Sequence, residues 1–237
     1  MAAETPTIST PFGKVSQVTT GAGQTVIHTA ANWMWLPMVL MGVMAIAAAV
    51  GLGIAQAQIS SDLGEEFTAL RKANFETLRP LTGGFIFLGL ALILSGIAFL
   101  LATILGALRW GGGEVQEAVD QPVMALIMPW SAKLFLALMM AGLIAELVAF
   151  GTLIFVSTQA HSAWIGASAV DAPGNAAALH RVAAYAAWAN PLRLAAVGLI
   201  LTSIVFALFT ISNVLGAMLM RVRVLIAIIG QQAGGSQ

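Results

Sequence analysis

One carboxylate stands inside a run of apolar and small residues, AGLIAELVAF at 141–150. An ionised carboxylate deep in a bilayer costs on the order of 3 kcal/mol, and only Arg and Lys have stems long enough to carry a charge easily to the interface. Glu146 must therefore face away from lipid, hold a proton, or have a partner. On a helix its neighbours are Gly142, Ala149 and Phe150, which places it beside a close helix contact. Two chemistries fit. The first is a neutral carboxyl, hydrogen-bonded to Asn213, Thr210, Ser203 or a partner subunit, that fixes how helices dock; this is the expectation. The second is a proton or ion site. No other charge falls deep within a span on this reading, so no charge relay is traced.

The three histidines offer less. His28 precedes the first span, whereas His161 and His180 follow the third, so no pair faces across two helices as a membrane haem requires. His161, Asp171 and His180 share one connection and are the only metal-ligand candidates, but their spacing matches no compact motif. Ordinary surface or capping roles are expected for them. There are no cysteines, which excludes disulfides, thiolate metal sites and thiol nucleophiles. No GxxxxGK[ST] loop, HExxH or Ser-His-Asp placement is present, and GAGQT at 21–25 is not set between a strand and a helix. The eleven methionines are dispersed and read as core filler, not as copper ligands.

A more regular pattern is small residues at every fourth position. Ala45, Ala49 and Gly53 form one series, continuing to Ala57. Ala98, Ala102 and Gly106 form a second, and Ala137, Ala141, Ala145 and Ala149 a third. Such stripes let helices approach closely in a membrane, so they serve association rather than catalysis.

The elements that must position these residues follow from composition. Only 8% of the 237 residues are charged, against about 25% in a soluble domain, and the mean hydropathy is +0.92. A chain with so little charge cannot cover a water-exposed surface, so it is an integral membrane protein. Net charge is zero, which gives no basic face for nucleic acid. Four stretches, near 34–57, 82–108, 130–156 and 192–219, exceed the roughly 20 residues that a spanning helix needs. Lipid cannot satisfy backbone polar groups, so they must be helical. The fold class is therefore an all-α integral membrane protein, a bundle of four transmembrane helices. Trp33, Trp35, Trp110, Trp130 and Trp188 mark headgroup levels.

Interfacial amphipathic helices are expected at 61–78, opened by a capping box at Asp62 and Glu65 and closed by Pro80, and at 175–189, capped by Asn175. The organisation is a polar arm over 1–30, a membrane domain over 31–229 and a tail over 230–237. The arm, the 109–129 link and the C-terminus share one side; 58–81 and 157–191 share the other. Basic residues divide equally between the sides, and the termini are assigned to the cytoplasm because Arg221 and Arg223 end the last span directly. The membrane expected is a prokaryotic cytoplasmic (inner) or intracytoplasmic one. No internal repeat is recognised, since the spans share no evident motif.

The function expected is a non-catalytic membrane subunit that packs into and stabilises a larger multi-subunit complex. Its partners would be other membrane subunits and the bilayer, with bound lipids but no intrinsic cofactor and no soluble substrate. The alternative is an oligomeric small transporter or proton/ion conductor built on Glu146.

Overall fold

The computed structural model describes residues 7–10, 13–17, 22–65, 68–110, 124–126, 129–169 and 172–234, with side chains over 31–63, 68–108, 129–169 and 172–216. Two strands, β1 (Thr7–Thr10) and β2 (Gly13–Gln17), precede helix α1 (Ala22–Glu65). Helix α2 (Ala69–Trp110), strand β3 (Met124–Leu126), helix α3 (Trp130–Trp164) and helix α4 (Ala176–Gly234) follow. Each helix contains a stretch long and apolar enough to cross a bilayer: Ala31–Leu63, Ala69–Leu108, Trp130–Trp164 and Ala176–Gly216. The first three expected spans fall inside these stretches and the fourth, 192–219, overlaps the last of them; the chain is an all-α multi-pass membrane protein apart from its short strands.

The helices are longer than the spans. The 59 residues of α4 extend about 88 Å at 1.5 Å per residue, far beyond the roughly 30 Å hydrocarbon core. This removes both expected interfacial helices as separate elements. Asp62 lies inside α1, not at a helix start, and residues 69–78 are the first turns of α2. Residues 176–189 are the first turns of α4. Pro80 and Pro191 sit within helices instead of ending them; in membranes, neighbouring helices and polar side chains re-satisfy the freed backbone groups. The cap at Asn175 is as expected: the Ala178 N–H donates to its Oδ1 at 3.1 Å.

The arm pairs with the link. β1 and β2 form an antiparallel hairpin, and β2 pairs with β3 through Val15–Leu126, Ser16–Ala125 and Gln17–Met124. Arm and link therefore lie on the same side, as four spans demand. On the other side Ala73 of α2, Ala163 and Trp164 of α3 and Ala178 of α4 form one apolar cluster.

The helices do not form a square bundle. α2, α3 and α4 pack against one another, while α1 makes its helix contacts with α2. Buried positions on α3 run Phe135, Met139, Gly142, Glu146, Ala149, Leu153, Val156, Ala160, Ala163. On α4 they run Ala189, Arg193, Ala196, Ile200, Ser203, Ala207, Thr210. Steps of four and three alternate, giving the 3.5-residue seam of left-handed packing. This corrects the third small-residue stripe. A constant step of four drifts around a helix, so Ala137 and Ala141 are exposed, Ala145 is half-buried and Ala149 alone is fully enclosed. The first stripe holds at Ala45 and Ala49, with Gly53 half-buried. In the second, Ala98 is buried and Ala102 and Gly106 are half-buried.

The structure also overturns the absence of a repeat. A β-carbon on Gly42 would meet Ile93 Cγ1 at 2.7 Å, Gly89 O at 2.7 Å and Ile93 N at 3.0 Å. One on Gly142 would meet Ile200 Cγ1 at 2.7 Å, Ala196 O at 2.9 Å and Ile200 N at 3.2 Å. These are the same contacts, shifted by 100 residues on one helix and 107 on the other. At those shifts GVMAIAAAVGLGI (42–54) aligns with GLIAELVAFGTLI (142–154), and ILSGIAFLLATI (93–104) with ILTSIVFALFTI (200–211). Seven of the twelve residues in the second pair are identical. Over these stretches α1–α2 and α3–α4 are equivalent helical hairpins, a partial repeat.

Candidate functional site at a buried charge pair

Glu146 lies on the buried seam of α3 with no exposed surface. The antiparallel register of α3 on α4 is fixed at two levels. Thr210 Oγ1 and Ser131 Oγ are hydrogen-bonded at 2.7 Å, and Gly142 abuts Ala196 and Ile200. One turn beyond Gly142, this register brings Glu146 to the level of Arg193. Both groups face this buried interface, but neither carboxylate oxygen of Glu146 is hydrogen-bonded to the guanidinium.

Arg193 is the buried charged residue that sequence reasoning missed. The expected fourth span, 192–219, puts Arg193 at its edge. Because α4 runs unbroken through Pro191, Arg193 is instead enclosed, with 7% of its surface exposed. Its Nη2 donates to Asn190 Oδ1 one turn earlier. Its guanidinium carbon sits 5.0 Å from the centre of the Phe87 ring on α2, a cation–π placement. Gly83 on α2 leaves room beside it, since a β-carbon there would lie 3.6 Å from Nη1.

The pair is incompletely satisfied. Both carboxylate oxygens of Glu146, and Nε and Nη1 of Arg193, are buried without a hydrogen-bond partner, as is Ser95 Oγ on α2. The hydroxyl partners expected for Glu146 are engaged elsewhere: Thr210 with Ser131 and Phe206 O, and Ser203 with Ile200 O at 2.7 Å. Asn213 is exposed on the outer face of α4.

Arg193 lines a cleft of about 400 Å³ between α2, α3 and α4. Glu76, Arg79 and Asn190 supply its other hydrogen-bonding side chains; Val156, Trp164 and Leu179 are among its apolar walls. Lys72 pairs with Glu76 at 2.9 Å and lies 4.7 Å from the centre of a Trp164 ring. Arg193 is part of the lining and Glu146 is not. The small residues that face α3 and α4 make this enclosure possible, because close helix approach is what keeps lipid from the pair.

His161 and His180 are not brought into a site. His161 is half-buried in the last turn of α3, and His180 is exposed in the first turns of α4; Asp171 lies outside the described residues. Among the described residues no three His, Cys, Asp or Glu side chains are grouped to hold a metal ion. Comparison of the chain with protein-family models, curated proteins and solved structures finds no match.

Proposed function

We propose that this membrane protein handles a proton or small ion at the Glu146–Arg193 pair, with the cleft as the route from one membrane face. The observation that carries this is the pair itself: opposite charges inside a membrane-spanning helix interface, with four polar atoms lacking partners. Buried opposite charges add stability only when their hydrogen bonds are made, and apolar replacements often do as well or better. Intramembrane ionisable residues facing a bundle interior mark ion and proton pathways. Protonation of Glu146 would release Arg193 from its counter-charge and let the guanidinium engage an anion entering from the cleft; loss of that proton would restore the pair. Liposomes holding a pH-sensitive dye provide the test. Purified protein should dissipate an imposed proton gradient, and Glu146→Gln should not, while its assembly stays intact. Gradient dissipation that survives the substitution overturns the proposal.

The second reading is a non-catalytic subunit of a larger membrane complex. Support comes from α1, whose helix contacts are with α2 and which exposes Met44, Val50 and Ile54. Gentle extraction followed by mass spectrometry of co-purifying chains tests it. Stoichiometric partner chains are expected, and a protein recovered alone or only with itself removes this reading.

A further inference from the structure

The duplicated hairpin carries a consequence for assembly. If the two hairpins met through one shared surface, exchanging them would map every contact onto another: α2 against α3 would imply α1 against α4. α2 does pack on α3, but α1 makes its helix contacts with α2 and is not seated on α4 in the same way. The hairpins therefore meet head to tail. Such a contact uses one surface of the first hairpin and a different surface of the second, and leaves one of each kind open.

Both open surfaces are identifiable. On α2 the residues Ala91, Ser95 and Ala98 are completely buried, and Ala98 clusters with Phe135 and Met139 of α3. Their counterparts 107 residues later are Gly198, Thr202 and Val205. All three are exposed: Val205 by 64%, and Gly198 with nothing within 4 Å of where its β-carbon would stand. On α1 the counterparts of Phe135 and Met139, 100 residues earlier, are Trp35 and Val39, both half-buried, with one side against Gly96 of α2 and the rest uncovered. The counterpart of Phe150, which stacks edge-on against Phe85 of α2, is Val50, 59% exposed.

We infer that the chain assembles with itself, α1 of a second copy seated on the Gly198–Thr202–Val205 face of α4 as α3 is seated on the equivalent face of α2. The occupant is a second copy because the equivalent face of α2 is covered by α3, the repeat counterpart of α1, while α1 of the same chain packs on α2. Two copies docking reciprocally give four hairpins around one axis. The inference rests on the repeat and is independent of the chemistry assigned to Glu146.

The chain has no cysteines, so single thiols can be placed without background. Two differently tagged copies, one V39C and the other V205C, are co-expressed, and the membranes are treated with a short bis-maleimide. The expected product is a cross-linked species carrying both tags, and A98C/M139C within one chain serves as the positive control. A control that links while V39C and V205C do not overturns the inference, as does linkage confined to V205C with V205C. Native mass spectrometry of the wild-type chain from nanodiscs gives a second measure: two or more copies are expected, and a monomer overturns the inference. Gly198→Leu adds bulk to the open face, where a β-carbon meets nothing within 4 Å, and is expected to convert the oligomer to a folded monomer.

Discussion

Removing one member of the Glu146–Arg193 pair should destabilise the protein far more than removing both. With Arg193→Met, Glu146 keeps a fully buried carboxyl whose two oxygens have no hydrogen-bond partner. With Glu146→Leu, Arg193 retains Asn190 and the Phe87 face but loses its counter-charge. Breaking a buried pair from one side costs about 3–5 kcal/mol, and the Arg193 variant lies nearer the upper end because Glu146 has no secondary partner. The double variant buries only apolar groups of similar volume and should fall within about 1.5 kcal/mol of wild type. The coupling energy is then several kcal/mol. Reversible unfolding in mixed micelles or bicelles of the wild type, both single variants and the double variant gives the full cycle. Additive losses, with the double variant as unstable as the sum of the singles, would refute the reasoning: the two side chains would then be independent, and the proposed switch would have no basis. The double variant should also be inactive in the proton-gradient assay, which separates stability from function.

Other expectations follow from single contacts. Gly142→Ala should destabilise by about 1–3 kcal/mol, because its β-carbon would press on α4 backbone atoms at 2.9 and 3.2 Å; Gly151→Ala on the same helix, with nothing within 4 Å, should show no loss. The same unfolding assay distinguishes them. Thr210→Val removes the hydrogen bond to Ser131 and should cost about 0.6 kcal/mol, the mean for interhelical bonds in a membrane. Asn175→Ala removes the cap of α4 and should cost about 1 kcal/mol, seen as faster hydrogen exchange at Ala178 than in the wild type.

The spans, the side on which each connection lies and the Asn175 cap were legible from the sequence, because hydropathy, parity and capping chemistry act locally. Arg193 was not. Its burial depends on α4 continuing through Pro191, which packing decides and local propensity opposes. The repeat was hidden in two ways. Thirteen residues separate Pro80 from Ile93 but nine separate Pro191 from Ile200, so one shift does not align the whole hairpin. In an alanine-rich chain, small-residue matches also carry little weight until the equivalent glycine contacts are seen. The exposed Ala137 and Ala141 show the limit of a periodicity read at a constant step of four, where the packing follows 3.5.

The charge pair also constrains how the chain enters the membrane during synthesis. Its first-hairpin counterpart to Glu146 is Ile46, so among its described residues α1 carries no buried acid and can be released into lipid as soon as it emerges. α3 arriving alone would bring Glu146 into hydrocarbon at a cost of about 3 kcal/mol, with its counter-charge 47 residues away in a helix not yet made. Insertion of the second hairpin is thereby favoured as a unit, α3 held at the translocon until α4 can accompany it, whereas the first hairpin is free to insert one helix at a time.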